Sequence, residues 1–324
     1  MKPVLVTGAT GFIGWHVARK LIERGHAVRA LTRPGRQLRE LPVEAVSGDL
    51  RDRASLDAAV AGCGSVFHVA ADYRLWAKNP AELYRSNVDG TRNMLEAARA
   101  AGVERFVYTS TVGCVAMPPD RPGTEEMPVG PRDMTGAYKK SKYAAEQVAL
   151  EFAGAGLPVV IVNPTAPIGD HDVRPTPTGA IIVDFLKGGM PAYLDTGLNL
   201  VDVRDVAEGH LLAWERGRPG ERYILGCDNL TLTEIFGKLE GISGCPAPRW
   251  RMPWVVAWAA GVASSGWAEI AGKPPRVPLD AVRMAHRKMF VTHEKAAREL
   301  GFLPVAVDGA LERAVTWFRD NGYV

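Results

Sequence analysis

Short apolar runs alternate with longer amphipathic stretches through the first half of the chain. The apolar runs predict β-strands over residues 3–7, 27–32, 44–47, 65–69, 104–109 and 158–162, and the amphipathic stretches predict helices over 12–24, 54–61, 80–101 and 134–154. Strands that alternate with helices in this way favour a parallel sheet with helices on both faces. We therefore expect an α/β fold with a doubly wound parallel sheet.

The pattern changes after about Pro164. Residues 166–178 contain three prolines and no periodicity, which indicates a loop, and residues 243–253 are again rich in proline. Strand and helix signals return at 200–215, and the tail is mostly helical. These later segments predict a second, smaller α/β domain.

Three glycines follow the first predicted strand. Gly8, Gly11 and Gly14 stand where strand 3–7 meets helix 12–24. Glycine has no Cβ, so it permits a tight turn and a close approach of the backbone to a pyrophosphate, and the helix N-terminus favours phosphate. We predict a dinucleotide-binding turn, with Gly14 at the contact of helix and sheet. Incidental glycines at a strand–helix junction are the alternative.

Composition excludes several classes of function. The chain has 324 residues, 47% hydrophobic and 23% charged, with a net charge of +3 and no long basic run, so nucleic-acid binding is not expected. Cys63, Cys114, Cys227 and Cys245 are widely spaced and offer neither a metal pattern nor a disulfide framework. Lys2 leads directly into the first predicted strand without a signal peptide, and we expect a cytoplasmic protein.

Residues 252–268 (MPWVVAWAAGVASSGWA) form an apolar stretch that is rich in tryptophan. Gly261, Ser264, Ser265 and Gly266 interrupt it, and it is short for a membrane-spanning helix. Two interpretations stay open. It is either a helix of the second domain, or an interfacial helix that contacts lipid or forms a wall for a lipid-like substrate. The second interpretation would make the protein membrane-associated.

The residues after the second predicted strand bear on the choice of nucleotide. An NAD site usually carries Asp or Glu there, whereas no acidic residue occurs between Glu23 and Glu40. Arg33 and Arg36 instead offer bidentate guanidinium groups that suit a 2′-phosphate. We expect NADP(H) to be preferred, with NAD(H) still open. Asp49 would either accept from the adenine amino group or cap the helix that follows it.

A tyrosine and a lysine four residues apart share one face of predicted helix 134–154. The ammonium of Lys142 would stabilise the phenolate of Tyr138 and lower the pKa of that phenol from about 10. This shift brings the phenol nearer the range of a general acid–base. Thr111, after strand 104–109, would donate to a substrate carbonyl oxygen. We interpret the three residues as a catalytic triplet, and a turn residue is the alternative for Thr111.

The chain closely resembles the extended short-chain dehydrogenase/reductases of the NAD-dependent epimerase/dehydratase superfamily over nearly all of its length. The motifs that carry the resemblance are Thr7-Gly-Ala-Thr-Gly-Phe-Ile-Gly14, Gly48-Asp49-Leu50, His68-Val-Ala-Ala71, Asn87-Val-Asp-Gly-Thr91, Tyr138-x-x-x-Lys142, Asn163-Pro164 and Val201-Asp-Val-Arg-Asp-Val-Ala207. The resemblance implies a Rossmann domain over residues 1–165, to which 197–226 return, and an interleaved substrate domain mainly over 166–324. It also implies a homodimer through helices 80–101 and 134–154.

The resemblance further implies a role for each matched position. Thr111, Tyr138 and Lys142 take the catalytic positions. The implied cofactor contacts come from the glycine turn, the later strand ends and the catalytic helix: Gly8, Thr10, Gly11, Phe12, Ile13, Gly14, Asp49, Leu50, Val69, Ala70, Ala71, Thr109, Tyr138, Lys142, Pro164 and Thr165. The acidic NAD residue of the family is absent.

Two branches of the family compete. The string Val28-Arg-Ala-Leu-Thr-Arg33 is similar to dihydroflavonol 4-reductases and related NADPH-dependent carbonyl reductases, and the whole chain also looks like the bacterial hopanoid-associated sugar epimerases. Dehydration is not expected, because Val112 and Gly113 stand where dehydratases of the family carry an Asp-Glu pair. We expect an NADP(H)-dependent oxidoreductase that reduces a carbonyl of a small or lipid-linked substrate.

Two other functions stay open. An NDP-sugar epimerase would keep its cofactor tightly bound, and a non-catalytic cofactor-sensing protein is less favoured because Tyr138 and Lys142 are present. A sugar diphosphate would need basic residues, for which the candidates are Arg174, Lys187, Arg204 and Arg276. A hydrophobic substrate would suit Tyr73, Leu75, Trp76, Tyr193, Trp250 and Trp254, which would equally suit an ordinary core.

Overall fold

A seven-stranded parallel sheet organises the larger part of the molecule. The computed structural model describes residues 2–35, 38, 41–74, 76–273, 275 and 277–324, with only the backbone at residue 269. The strands are β1 (Val4–Thr7), β2 (Val28–Thr32), β3 (Glu44–Ser47), β4 (Ser65–His68), β5 (Arg105–Thr109), β6 (Val159–Pro164), β7 (Ala166–Ile168), β8 (Ala192–Leu194), β9 (Gly197–Asp202), β10 (Arg222–Leu225), β11 (Asp228–Thr231) and β12 (Trp250–Met252).

The large sheet runs in the order β3-β2-β1-β4-β5-β6-β10, and all neighbouring strands are parallel. The order 3-2-1-4-5-6 is that of a doubly wound, Rossmann-type sheet, here extended by one strand. The expected α/β fold class is therefore confirmed.

Helices cover both faces of the large sheet, and others belong to the smaller unit. The helices of the described residues are α1 (Phe12–Glu23), α2 (Arg53–Val60), α3 (Ala81–Tyr84), α4 (Gly90–Ala100), α5 (Gly136–Gly154), α6 (Pro177–Leu186), α7 (Val203–Arg216), α8 (Leu232–Ser243), α9 (Trp254–Ala271), α10 (Leu279–Met284), α11 (Glu294–Leu300) and α12 (Asp308–Asp320). Helices α1 and α7 pack together on the face to which β1 contributes Val4 and Val6, whereas Leu5 joins the core under α2, α4 and α5. Each central strand is buried on both faces, so it reads as a continuous apolar run.

The helix predicted over 80–101 is interrupted. A π-helical turn over Arg85–Asp89 separates α3 from α4. Within this turn the amide of Asn87 donates to the carbonyl oxygen of Asp72 and to the hydroxyl of Ser141, and it accepts from the main-chain N–H of Asp72. These bonds tie the turn to the loop after β4 and to α5. The amphipathic pattern alone did not reveal this local change of helix type.

The later segments build a smaller unit beside the large sheet. Strands β11, β9 and β7 form one sheet, and β12 pairs with β8. Helices α6, α8 and α12 share a core with these strands. The chain also crosses back between the two parts, because α7 packs on α1 and β10 pairs with β6 at the edge of the large sheet. The two parts are therefore interleaved along the sequence.

Three histidines are buried in this fold. In His210 the Nδ1–H donates to the carbonyl oxygen of Val206 at 2.7 Å, so its Nε2 accepts from the hydroxyl of Thr109 at 2.9 Å. Burial lowers the pKa of His210 and of His16 to about 4, and that of His68 to about 3. The folded chain therefore keeps three neutral imidazoles at a pH where unfolded histidines are charged.

We expect the free energy of unfolding to fall as the pH is lowered from about 6.5 towards about 4, because the unfolded chain then binds protons that the folded chain does not. Each histidine contributes at most about 1.4 kcal/mol per pH unit. Asp172 acts in the opposite direction, since burial raises its pKa to about 6. Urea unfolding over this range measures the slope, and the variant His210→Gln should reduce it. A free energy of unfolding that is constant or rises on acidification would contradict the prediction.

Candidate active site

A large cavity opens at the carboxyl edge of the parallel sheet. Its volume is about 1660 Å³, above the roughly 300–1,000 Å³ of a usual small-molecule pocket. Residues that follow β1 to β6 line one side of it, and residues of the smaller unit line the other. Because ligands of doubly wound sheets bind at this edge, the cavity is the candidate active site.

The glycine turn forms part of the cavity wall. Gly8 has a φ of +76°, in the left-handed region that favours glycine. A Cβ on Gly8 would lie 2.8 Å from the main-chain nitrogen of Ala70, and a Cβ on Gly14 would lie 2.2 Å from the carbonyl oxygen of Gly8. Gly14 thus packs on the turn itself, whereas the sequence analysis placed it at the contact of helix and sheet. The backbone segments touch so closely that side chains are excluded.

Helix α1 begins at this turn without a capping side chain. Its N-cap is Gly11, and no acidic residue lies in its first turn. The first amide groups of a helix need partners from outside the helix, and together with the helix dipole they favour an anion. Thr10, Phe12 and Ile13 line the cavity beside them. This part of the cavity fits the pyrophosphate of a dinucleotide.

Arg33 and Asp49 line the same cavity at the ends of β2 and β3, with Leu50 beside them. The guanidinium of Arg51 binds Asp49 at 2.7 Å and holds the pKa of that carboxyl at about 2. The N-cap of α2 is Asp52, so the alternative that Asp49 caps this helix is wrong. Arg36, the second arginine predicted to bind a 2′-phosphate, lies outside the described residues.

Thr111 and Tyr138 both line the cavity, where the side chain of Thr111 lies close enough to the phenol of Tyr138 to influence its pKa. The Oγ1 of Thr111 accepts from the N–H of Gly113 at 3.1 Å, and its carbonyl oxygen accepts from the amide of Asn163 at 3.0 Å. Burial raises the pKa of Tyr138 above its ordinary value, which the nearby side chain of Thr111 partly opposes. The phenol of Tyr138 is therefore protonated at neutral pH.

Lys142 lies one helical turn after Tyr138 and is 2% exposed. Its Nζ donates to the phenol oxygen of Tyr108 at 3.0 Å and to the carbonyl oxygen of Thr109 at 2.8 Å. Burial lowers the pKa of Lys142 to about 8. The expectation that Lys142 lowers the pKa of Tyr138 is wrong for this arrangement, because burial dominates at Tyr138. An ammonium has three N–H donors, so Lys142 can bind one more acceptor.

Tyr108 joins Lys142 to a buried row of hydroxyl and imidazole groups that sequence reasoning missed. The Nδ1 of His68 is hydrogen-bonded to the hydroxyl of Thr7 at 2.8 Å, and its Nε2 to the hydroxyl of Thr91 at 3.1 Å. The side chain of Thr91 lies close enough to the phenol of Tyr108 to influence its pKa, and the hydroxyl of Thr7 accepts from the N–H of Ala70. Thr7, His68 and Thr91 belong to family motifs in the sequence, but their spacing along the chain did not predict that they are in contact.

The remaining predicted cofactor residues lie after β4, β5 and β6. Val69, Ala70, Ala71, Thr109, Pro164 and Thr165 all line the cavity. The hydroxyl of Thr109 bonds to His210 and the hydroxyl of Thr165 donates to the carbonyl oxygen of Leu225 at 3.3 Å. These two threonines therefore shape the site mainly through their backbone.

The smaller unit supplies a largely apolar wall. Its side chains in the cavity include Ile181, Met190, Tyr193, Leu198, Met284 and Met289. Arg174 adds positive charge to this wall, and Lys139 of α5 also lines the cavity, where burial lowers its pKa. Sequence reasoning missed Lys139 although it follows Tyr138 directly, because helical spacing drew attention to Lys142.

The residues suggested for substrate binding differ in whether they line the cavity. Tyr73, Arg174 and Tyr193 line the cavity, and Leu75 and Arg276 lie outside the described residues. The remaining five are not among the lining residues that the structure describes: Trp76, Lys187, Arg204, Trp250 and Trp254. Arg204 is paired with Asp170 at 3.2 Å, and Trp250 is exposed on the surface.

One cluster outside the expected pattern lies beside α1. His16, Asp170 and His171 approach closely enough to hold a metal ion. The Nε2 of His16 is already bonded to the carbonyl oxygen of Asp170 at 2.9 Å, and the carboxylate of Asp170 binds Arg204. These contacts explain the close approach of the three side chains without a bound ion.

The family follows from comparison with known proteins. Residues 4–226 match the NAD dependent epimerase/dehydratase family. The chain belongs to this family. It is an NAD(P)-dependent enzyme of the extended short-chain dehydrogenase/reductase type, as the sequence motifs predicted.

Three relatives of this chain are named as reductases or as a sterol demethylase protein. A Synechocystis protein provisionally named dihydroflavonol 4-reductase is 48% identical, covering 98% of this chain and 95% of the relative. Sterol demethylase protein B of Methylococcus capsulatus is 35% identical over 99% of both chains. A 4-hydroxy-2-methyl-3-oxo-4-farnesyl-3,4-dihydroquinoline-1-oxide ketoreductase of Stigmatella aurantiaca is 33% identical, covering 92% of this chain and 90% of the relative.

Solved structures agree with the fold of this epimerase/dehydratase family member. The crystal structure of gox2253 has a TM-score of 0.90 at 43% identity and covers all of both chains. PA4631 of Pseudomonas aeruginosa, described as a nucleoside-diphosphate-sugar epimerase, has a TM-score of 0.82 at 32% identity over 99% of both chains. The sequence relatives and solved structures thus include proteins named as reductases and a protein described as a sugar epimerase.

We expect Gly14→Ala to weaken NADPH binding at least about tenfold, because a Cβ at this position would collide with the carbonyl oxygen of Gly8 and displace the helix amides. Gly237→Ala is the matched control. Gly237 lies inside α8 with no atom near its Cβ position, so this change should leave binding intact and stabilise the fold by about 0.5–1 kcal/mol. Fluorescence titration and thermal unfolding measure the two effects. Equal NADPH affinities in the two variants would contradict the prediction.

Proposed function

We propose that this protein is an NADP(H)-dependent reductase that acts on a carbonyl group of a small or lipid-linked substrate. The observation that carries the proposal is the pair of neighbouring side chains Thr111 and Tyr138, in the cavity that the glycine turn also lines. A carbonyl oxygen bound by this pair would lie between the nucleotide side of the cavity and its apolar wall.

The residues of the chain would manage the proton and the orientation of the substrate. The phenol of Tyr138 is protonated at neutral pH, so it can donate to the substrate oxygen. The hydroxyl of Thr111 would bind the same oxygen as negative charge develops on it. Lys142 would keep two donors on Tyr108 and Thr109 and offer the third to the ribose hydroxyls. The nicotinamide, when bound, supplies the reducing equivalent.

The proposed preference for NADP(H) rests on Arg33. This arginine follows β2 and lines the cavity, at the position where NAD-specific members carry an acid. A guanidinium binds a 2′-phosphate with two parallel hydrogen bonds. NAD(H) remains the weaker cofactor in this proposal.

The proposed substrate class rests on the wall that faces the catalytic pair. Three methionines, Met190, Met284 and Met289, line the part of the wall that the smaller unit supplies together with leucine, isoleucine and valine side chains, and methionine adapts to irregular apolar ligands. Two of the relatives are named for a farnesylated ketone and for sterol demethylation. Both names support a hydrophobic, lipid-like substrate.

A second candidate is NDP-sugar epimerisation at the same site. It is supported by the Pseudomonas aeruginosa structure described as a nucleoside-diphosphate-sugar epimerase, and by Arg174 in the cavity, since a guanidinium binds phosphate well. The hopanoid-associated epimerases that the sequence resembles belong to this candidate. A cofactor-sensing protein without catalysis is less favoured, because Thr111, Tyr138 and Lys142 all line the cavity.

Net consumption of NADPH separates the two activities. The protein is incubated with NADPH and either apolar ketones in detergent micelles or UDP-glucose. A reductase oxidises one NADPH for each alcohol formed and leaves UDP-glucose unchanged. Epimerised UDP-sugar without net change in the cofactor would overturn the proposal in favour of the second candidate.

We also propose a division of labour between the two parts of the fold. Residues 1–165, with 197–226, would bind the dinucleotide, and residues 166–324 would mainly bind the substrate. We further propose that the protein is cytoplasmic and forms a homodimer through α4 and α5.

We expect Tyr138→Phe to lower kcat for carbonyl reduction at least about 100-fold, because it removes the proton donor, while NADPH binding is retained. The matched control is Tyr143→Phe in the same helix. The hydroxyl of Tyr143 donates to the carbonyl oxygen of Val129 at 3.3 Å, and its loss should change kcat less than about twofold. Steady-state kinetics measure both variants. Full activity of Tyr138→Phe would refute the assigned role.

We expect Arg33→Ser to lower kcat/KM for NADPH about tenfold or more, because a charge-assisted hydrogen bond to the 2′-phosphate is lost. The value for NADH should stay nearly constant, since NADH has no such phosphate. Arg121→Ser, at an exposed arginine away from the cavity, serves as the control for net charge. An equal loss with both cofactors would show that Arg33 does not select the nucleotide.

A further inference from the structure

Helix α9 turns its large apolar side chains away from the protein. Ile270 is 82% exposed and Trp267 is 69% exposed. Together with four further side chains they form a continuous apolar strip, which we call the α9 outer face: Val255, Val256, Trp258, Val262, Trp267 and Ile270. A helix on the surface of a globular protein usually buries its large apolar residues and exposes polar ones. The arrangement in α9 is the reverse.

The inner side of α9 is well packed, so the exposed strip is not the result of a detached helix. Ala257, Gly261 and Ala268 are buried, and a Cβ on Gly261 would lie 3.3 Å from the Cα of Leu279 in α10. The hydroxyl of Ser265 accepts from the N–H of Leu279 at 3.0 Å. Small residues thus bring α9 close to α10 and leave the bulky residues outside.

Positive charge predominates in the chain segment that contains the α9 outer face. Residues 246–290 contain seven lysines and arginines but only two acidic residues. The exposed cations in the described part of this segment are Arg249, Arg251, Lys273, Arg283, Arg287 and Lys288. Within the described residues, Arg249, Lys273 and Arg287 form no ion pair. An apolar strip with tryptophans in a cationic segment complements an anionic lipid surface.

The α9 outer face also lies one helix away from the candidate active site. Helix α10 packs against α9 on one side. On the other side Ala281 and Met284 of α10, with Ala285 and Met289 after it, line the cavity. The axis of α9 would therefore lie about one interhelical spacing, roughly 8–10 Å, from the axis of α10, the helix that borders the substrate wall.

We propose that the α9 outer face binds the surface of an anionic membrane and sets the apolar side of the cavity next to the bilayer. No helix in the part of the chain that the structure describes could cross a bilayer, so the contact is peripheral. Docking depends on the exposed face alone, whereas the delivery of a lipid substrate into the cavity rests on the proposed reductase function. A second copy of the chain is a poorer partner for this face, because a symmetric contact would bring the cationic segments of both copies together.

Vesicle sedimentation tests the docking without any assumption about catalysis. The full-length protein is mixed with vesicles of phosphatidylcholine alone or of phosphatidylcholine with phosphatidylglycerol. We expect binding at least about tenfold stronger to the anionic vesicles, and weaker binding in high salt. Trp267→Ser/Ile270→Ser should lose most of this binding. Leu303→Ser is the control, since Leu303 is 81% exposed and lies outside α9.

Two further measurements complete the test. Reduction of a water-soluble ketone should be equal in the wild type and the double variant, whereas reduction of an apolar ketone held in anionic vesicles should fall in the double variant alone. Absence of binding to anionic vesicles, or equal binding by the double variant, would overturn the proposal. So would a wild-type dimer that the double variant converts to a monomer, because α9 would then bind a second copy. If no ketone is reduced but vesicle binding follows α9, the reductase function fails and the membrane contact stands.

Discussion

The cofactor side of this enzyme depends on three backbone segments that touch with no side chain between them. The turn after β1 lies against the end of β4, and the first turn of α1 lies against the carbonyl group of Gly8. Only glycine at positions 8 and 14 permits these approaches. The contact directs the uncapped amide groups of α1 towards the cavity, so the anion site is a consequence of backbone packing rather than of any charged side chain.

A buried ammonium group connects this turn to the helix that carries the proposed catalytic tyrosine. Lys142 is held by Tyr108 and by the end of β5, and Tyr108 continues through Thr91 and His68 to Thr7 beside the glycine turn. A charge in the interior is tolerated only when such partners satisfy it. The row therefore sets the position of Lys142 relative to the turn, although its members come from four separate elements.

The smaller unit forms one wall of the cavity that contains the proposed catalytic pair. Its apolar wall continues through α10 to α9, which buries Ala257, Gly261 and Ala268 and exposes most of its large apolar side chains. The chemistry of the site and the character of the outer surface are therefore linked through two adjacent helices. This link explains why a fold shared with sugar-nucleotide epimerases is also compatible with relatives named for lipid-like substrates.

Much of the fold could be predicted from local patterns. The six predicted strands match β1 to β6 to within two residues at their ends, because a strand buried on both faces is apolar without interruption. The glycine turn was recognisable because a positive φ and the absence of Cβ are local requirements. Tyr138 and Lys142 could be placed on one helix face from their spacing alone. The π-helical turn at Arg85–Asp89 could not be predicted from local patterns, because it depends on hydrogen bonds from Asn87 to the distant Asp72 and Ser141.

By itself the amino-acid sequence determined the order of strands and helices, the family and the identity of the candidate catalytic residues, since these follow from periodicity and from short motifs. The tertiary structure alone decided that Tyr108 rather than Tyr138 binds Lys142, and that burial raises the pKa of Tyr138 instead of lowering it. It also decided which side of α9 faces outward. Burial and contact between distant segments set these properties, and neither is encoded in the spacing of neighbouring residues.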